Sequence, residues 1–352
     1  MKLYRVSNRV PEILHYSPKD SEYNLSLAIN PNYQNVLCVG KSLVNYAKLI
    51  DKCTLRCLVS LGGSFAHSAT ITDVRFFSET VAATTSRDGT FRVWDLRTPL
   101  GPAWTERLST DSTDAEVNSI CSNGDMVVGS CCKSEVFLYD WRKQKKFFTY
   151  SEIHFEPVTT IDFLTGRANM LVSASEDGLI NILNITDLDN DDQGQSPWVA
   201  MNTGNGVRDF TIVDSNIFAF SPVEGISVWD FSGNKIWGNE SLRDHPLMAH
   251  DGSVGYIIDA HQVPGMANPA ILAGSSSGNM ALFSINGDDL DLCASFDSPG
   301  HHGVVRASLH HGNNFVTAGE DGQIISWTHS DLSANLYQPT RDNQRPVRSS
   351  PY

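Results

Sequence analysis

The chain has 352 residues, 41% hydrophobic and 19% charged, with a formal net charge of -14 and a pI near 5.1. Such a composition, rich in Gly, Ser, Thr and Asp, fits many short strands joined by tight turns and excludes a disordered chain. The acidic balance argues against nucleic acid as the main partner, because that affinity rests on clustered Lys and Arg.

The opening segment, MKLYRVSNRVPEILHYSPKD, has no apolar core of signal-peptide length, and no run elsewhere approaches the roughly 20 apolar residues of a membrane span. The expectation is a cytoplasmic or nuclear protein with no membrane contact. Within that segment LYRVSN or EILHYS is the candidate for a strand that closes the fold. Further along, a strand-turn-strand unit recurs. Its turns fall at Lys41-Ser42, Asp88-Gly89, Lys133-Ser134, Asp177-Gly178, Glu224-Gly225, Ser277-Gly278 and Asp321-Gly322, about 44 to 53 residues apart. In the acidic-Gly turns Gly supplies the positive φ that a two-residue hairpin requires. The clearest units are ATTSRDGTFRVWDLR from Ala83, SASEDGLINILNITD from Ser173 and TAGEDGQIISWT from Thr317. Upstream, His67, His154, His250 and His301 each precede a short alternating apolar strand by the same offset. The segment after Trp327 is rich in Pro, Ser, Asn and Arg and reads as a flexible tail over 331–352.

These residues resemble the WD-repeat family: a His, a strand, a Ser or Thr, an Asp in a tight turn, and Trp-Asp closing the next strand. The resemblance covers roughly residues 20 to 330 and implies an all-β, seven-bladed WD40 propeller over 1–330, with four-stranded antiparallel blades. The ring would be closed by an N-terminal strand, since an open edge invites aggregation. In the family the four residue types form a buried hydrogen-bonded chain within a blade. Carried over, that chain is His67, Thr84, Asp88 and Trp94 in blade two. In blade seven it is His301, Thr317, Asp321 and Trp327. Blade four offers His154, Ser173 and Asp177, with Leu183 in the Trp position.

Other chemistry is set aside residue by residue. Gly40-Lys41-Ser42 ends like a phosphate loop, but Asn35 stands where that motif needs Gly. Asp187, Asp189 and Asp191 begin like a calcium loop, yet Asp192 and Trp198 occupy the places of its Gly and Glu. No Ser-His-Asp order, Cys-x-x-C pair or HExxH helix occurs, so no catalytic residue, cofactor or metal is expected. The seven cysteines are odd in number, lack framework spacing, and are expected to be reduced core residues.

With no enzyme chemistry, the resemblance implies a scaffold whose partners are other proteins, held as peptides or domains on a propeller face. On one face Arg87, Glu116, Glu176, Arg208, Arg306 and Glu320 are expected at the channel mouth, their mixed charge suiting a protein partner. On the other, Trp94-Asp95-Leu96-Arg97 and Tyr139-Asp140-Trp141-Arg142 resemble the adaptor-docking motif of substrate receptors of cullin-four ubiquitin ligases, through Arg97 and Arg142. The basic run Arg142-Lys143-Gln144-Lys145-Lys146 leaves a ribosome-assembly or chromatin-associated role as a third expectation.

Overall fold

A computed structural model describes residues 2–9, 23–30, 35–41, 45–51, 54–98, 101–108, 116–124, 127–186, 188, 196–243, 255–266, 268–296, 300–311 and 314–329. Strand β1 (Lys2–Arg9) carries LYRVSN. Then come β2 (Tyr23–Ile29), β3 (Asn35–Lys41), β4 (Ala47–Asp51) and β5 (Cys57–Leu61), which form one sheet. The next sheet holds β6 (Ile71–Ser78), β7 (Val81–Ser86), β8 (Thr90–Asp95) and β9 (Trp104–Arg107). The third holds β10 (Val117–Ser122), β11 (Val127–Cys132), β12 (Glu135–Asp140) and β13 (Lys145–Tyr150). The fourth comprises β14 (Val158–Phe163), β15 (Met170–Ser175), β16 (Leu179–Asn184) and β17 (Val199–Asn202). The fifth comprises β18 (Asp209–Val213), β19 (Asn216–Phe220), β20 (Ile226–Asp230) and β21 (Lys235–Asn239). Last come β22 (Tyr256–His261), β23 (Ala270–Gly274), β24 (Met280–Asn286), β25 (Asp289–Phe296), β26 (Val305–His311), β27 (Asn314–Gly319) and β28 (Ile324–His329). No α-helix lies among the described residues, and no helix is long and apolar enough to cross a membrane.

The architecture is an all-β propeller of four-stranded antiparallel units, but hydrogen bonding groups the strands into six sheets, not the seven expected. Five sheets have four strands and one has eight, in the order β22-β23-β24-β25-β1-β28-β27-β26. The cause is β1, which pairs antiparallel with β28 from Tyr4↔His329 to Arg9↔Ile325 and also touches β25 in parallel over Lys2–Tyr4. The N-terminal strand thus completes the last unit and stitches it to its neighbour. EILHYS, His250 and residues 331–352 lie outside the described residues.

The middle strands are buried along nearly their whole length, as in β7, β11, β15, β19 and β23, because both faces of each sheet are covered by the sheets beside it. Leu49, Ile71, Val74 and Trp94 cluster between the first and second sheets, and Phe91, Trp104, Ile120 and Tyr139 between the second and third. Ile50 and Leu55 meet Val316, Ala318 and Ile324, joining the first sheet to the last. Within the eight-stranded sheet, Leu272, Met280 and Leu282 from β22–β25 pack on Phe315, Ile325 and Trp327 from β26–β28.

Cys121, Cys131 and Cys132 are buried and free, and burial pushes the Cys132 thiol up to about 11. Cys57 and Cys293 are only half-buried, because they lie on β5 and β25, the outermost strands of their units, where one side of the strand meets water.

Candidate protein-binding faces

In the second sheet His67 is held at both ring nitrogens. Nε2 lies 2.8 Å from Thr84 Oγ1, Nδ1 lies 3.2 Å from Asp88 Oδ2, and Trp94 Nε1 donates to Thr84 Oγ1 at 3.0 Å. The last unit repeats this: His301 Nε2 to Thr317 Oγ1 at 2.8 Å, Nδ1 to both Asp321 oxygens at 3.0 Å, and Trp327 Nε1 to Thr317 Oγ1 at 2.8 Å. In the fourth sheet His154 contacts Ser173 at 2.8 Å and Asp177 at 3.1 Å. Leu183 is buried there without a donor, and Asn181, two residues earlier on β16, approaches His154 Nε2 at 3.4 Å and donates to Ile153 O at 2.8 Å. Burial lowers the pKa of His67 and of His154 against the pull of their aspartates. Burial alone would raise Asp88, but hydrogen bonds from His67, Thr90 and Ser68 outweigh it and hold the carboxyl well below its ordinary range.

A further set of contacts lines the central channel, a cavity of about 570 Å³. Near the start of β6, β10 and β14 the ladder register slips, at Ile71/Asp73, Val117/Ser119 and Val158/Thr160. Such bulges re-aim the intervening side chain, and here that side chain reaches the next sheet. Thr72 donates to Val117 O, Asn118 to Val158 O at 2.8 Å, and Thr159 to Val207 O at 3.0 Å. Arg208 continues the series, donating through Nη2 to Ile257 O at 2.9 Å.

One layer deeper, aspartates take over the bridging. Asp73 accepts from Ser26 at 3.4 Å, Ser119 at 3.0 Å and Arg75 Nε at 3.2 Å, while Asp209 accepts from Thr160 at 2.8 Å and Asp259 from Thr211. His261 contacts Ser308 at 2.7 Å. Burial, and for Asp209 also the charge of Asp259, raises both carboxyls to about 6, whereas burial drives His261 down to about 3. No group of three or more His, Cys, Asp or Glu among the described residues is placed to hold a metal ion.

The six residues expected at the channel mouth separate. Arg208 and Arg306 line the channel; Arg87, Glu116, Glu176 and Glu320 do not. The turn bearing Arg87, Glu176 and Glu320 connects the second and third strands of a unit and so stands outward of the inner strand. Arg87 pairs with Glu116 of the next sheet at 3.4 Å, Arg306 with Glu320 at 2.5 Å, and Arg208 with Glu224 at 3.4 Å.

Glu224, which sequence reading assigned only to a hairpin turn, is the key residue of that last pair. It occupies the position Gly has in the strong turns, with φ 61°, and is buried. Its Oε2 accepts from Ile257 N at 2.7 Å, so Arg208 and Glu224 grip both polar backbone groups of Ile257.

At the other end of the sheets, Arg97 folds onto Asp95, with Nε to Oδ1 at 2.9 Å and Nη2 to Oδ2 at 2.7 Å. Arg142 differs. Lys143 holds Asp140 at 3.1 Å, leaving Arg142 exposed and with no ion pair among the described residues. Trp141 is anchored against Phe77 and Trp104, with ring centroids 5.9 and 6.0 Å away.

The His67-Thr84-Asp88-Trp94 chain lies within a segment that matches a known family. Residues 56–95 match the family described as WD domain, G-beta repeat. The chain thus carries a WD repeat, and its similarity extends to proteins named for such repeats. It is 28% identical over 326 residues to WD repeat-containing protein GTS1 of Arabidopsis thaliana, covering 81% of this chain and 79% of that one. It is 25% identical over 330 residues to WD repeat-containing protein 89 homolog of Dictyostelium discoideum, covering 92% and 87%. A chain in the crystal structure of the mitotic checkpoint complex has the same fold at a TM-score of 0.68 and 15% identity, with 92% of this WD-repeat chain and 91% of that chain covered.

Proposed function

We propose that this WD-repeat protein is a non-enzymatic scaffold that gathers other proteins on the two ends of its propeller. The carrying observation is the division of labour among its polar groups. Thr72, Asn118, Thr159 and Arg208 facing the channel make hydrogen bonds from one sheet to the next, which tie the body together, while the connecting loops present exposed side chains such as Glu176 and Arg142. A body tied in this way, with displayed loops, is what a docking surface needs, because little ordering entropy is lost on association. The same reading counts the eight-stranded sheet as two blades of a seven-unit ring, supported by the apolar cluster between β22–β25 and β26–β28.

A second reading rests on Arg97 and Arg142, which leave equivalent strands of successive sheets at the same end. They suit a cullin-ligase adaptor, arginine's fork being fitted to bidentate contact. Affinity capture of the tagged protein, compared with Arg97→Ala/Arg142→Ala, separates the two. Loss of a ligase adaptor from the variant supports the receptor reading. Recovery of the same stoichiometric partners by both forms supports the general scaffold, and absence of any stoichiometric partner overturns both.

A further inference from the structure

Phe155 is the most solvent-exposed large apolar side chain among the described residues, at 83%, although the residues before it, Ile153 and His154, are buried. The loop that displays it is fixed. The Phe155 N–H donates to Asp177 at 3.0 Å, Ser175 Oγ to the Glu156 carbonyl at 2.9 Å, and Glu176 N to the Pro157 carbonyl at 3.0 Å. The His154–Asp177 contact that stabilises the fourth sheet therefore also holds an aromatic ring out in water, where it gains nothing for folding.

The loop and the turn bonded to it are mainly acidic. Glu152, Glu156 and Glu176 are exposed and have no ion pair among the described residues, whereas Arg87, Arg208 and Arg306 at the same end are each paired with a glutamate. The exposed cation on the adjoining turn is Lys133, whose carbonyl accepts from Val158 N at 2.7 Å. An aromatic anchor on a hydrogen-bonded loop, with unpaired acids in that loop and on the turn bonded to it, matches how interface energy concentrates in preorganised aromatic side chains and how charge selects the partner.

We infer that Phe155, with Glu152, Glu156 and Glu176, forms a docking point for a basic linear segment of a partner protein, an apolar residue of which covers the ring while a flanking Lys or Arg meets the glutamates. This inference rests on the scaffold reading and gives it a site and a partner chemistry. It concerns the end of the propeller opposite Arg97 and Arg142.

The test is selection of short random displayed peptides on the immobilised full chain, followed by fluorescence anisotropy of the enriched peptides. The expected peptides combine an apolar residue with Lys or Arg. Phe155→Ser, which alters an exposed side chain and leaves the melting temperature unchanged, weakens them at least about tenfold. The triple change Glu152→Gln/Glu156→Gln/Glu176→Gln weakens them severalfold and flattens their salt dependence. Arg97→Ala/Arg142→Ala has no effect. Peptides bound equally by Phe155→Ser overturn the site but leave the scaffold reading standing, and enrichment of acidic peptides overturns the partner chemistry. Absence of any enrichment overturns the docking point, while the scaffold reading falls separately if affinity capture returns no partner.

Discussion

Replacing Glu224 by alanine removes the acceptor 2.7 Å from the buried Ile257 N–H and the acid 3.4 Å from Arg208. An orphaned buried N–H costs about 1–3 kcal/mol. The Arg208 side chain is 35% exposed, so its ion pair adds no more than about 1 kcal/mol. Glu224→Ala should therefore lose about 1–4 kcal/mol. Glu224→Gly loses the same contacts but relieves the left-handed backbone, φ 61°, which costs a non-glycine residue about 1 kcal/mol or more. An unfolding entropy of about 2.1 cal/mol/K per residue makes each kcal/mol worth about 1.4 °C in a chain of 352 residues. Alanine should thus melt about 1.5–5.5 °C below wild type and glycine about 1.5 °C above alanine, by differential scanning calorimetry. Amide exchange at Ile257 should accelerate in both. A glycine variant that melts above wild type would mean the carboxylate grips nothing, and the clamp between the fifth sheet and β22 would have to be abandoned.

Thr317→Val leaves the ring nitrogen of His301 and the indole N–H of Trp327 without their shared partner and should cost about 2–4 kcal/mol; an unchanged melt would remove the buried chain from the stability of the last unit. Asp209 and Asp259 have folded-state pKa values raised to about 6, so the folded state holds protons that the unfolded chain releases near pH 4. Their stabilisation is complete below about pH 4 and is lost as the pH rises through about 6. After screening by channel water, Asp209→Asn/Asp259→Asn should raise stability at pH 7.5 by on the order of 1 kcal/mol and change little at pH 4; an equal gain at both values would sink this reasoning. A methyl group at Gly278, φ 89°, would lie 2.2 Å from the His301 carbonyl oxygen, so Gly278→Ala should destabilise by more than about 1 kcal/mol, read by urea denaturation. Deleting residues 2–9 strips the partner from β28 and β25 and should raise aggregation, measured by light scattering; a soluble, monomeric product would show that closure does not depend on β1.

The repeat was legible because its members are rare residue types at fixed offsets. His67, Thr84, Asp88 and Trp94 could be aligned by eye with His301, Thr317, Asp321 and Trp327, and the need to hide a sheet edge pointed to the N-terminal strand. The channel ladder was not legible. Asp73, Asp209 and Asp259 sit among alternating residues just as solvent-facing positions do, and only the curvature of the ring brings each to a hydroxyl nearly fifty positions away. Glu224-Gly225 read as an acidic-Gly hairpin, yet the turn is offset by one residue, so the glutamate takes the left-handed position. Sheet counting failed for a related reason, since three residues of parallel pairing between β1 and β25 leave no mark in either segment.

The pairing of Arg9 with Ile325 also sets a clock on synthesis. Roughly 300 residues must leave the ribosome after β1 before its partner exists, which at about 5–20 residues per second takes on the order of 15–60 s. Throughout that interval β1 is an unmatched ribbon beside a growing stack of sheets that already bury their apolar faces. Its Lys2, Arg5 and Arg9 give that ribbon positive charge of the kind that discourages edge-to-edge pairing between nascent chains until the last unit arrives to claim it.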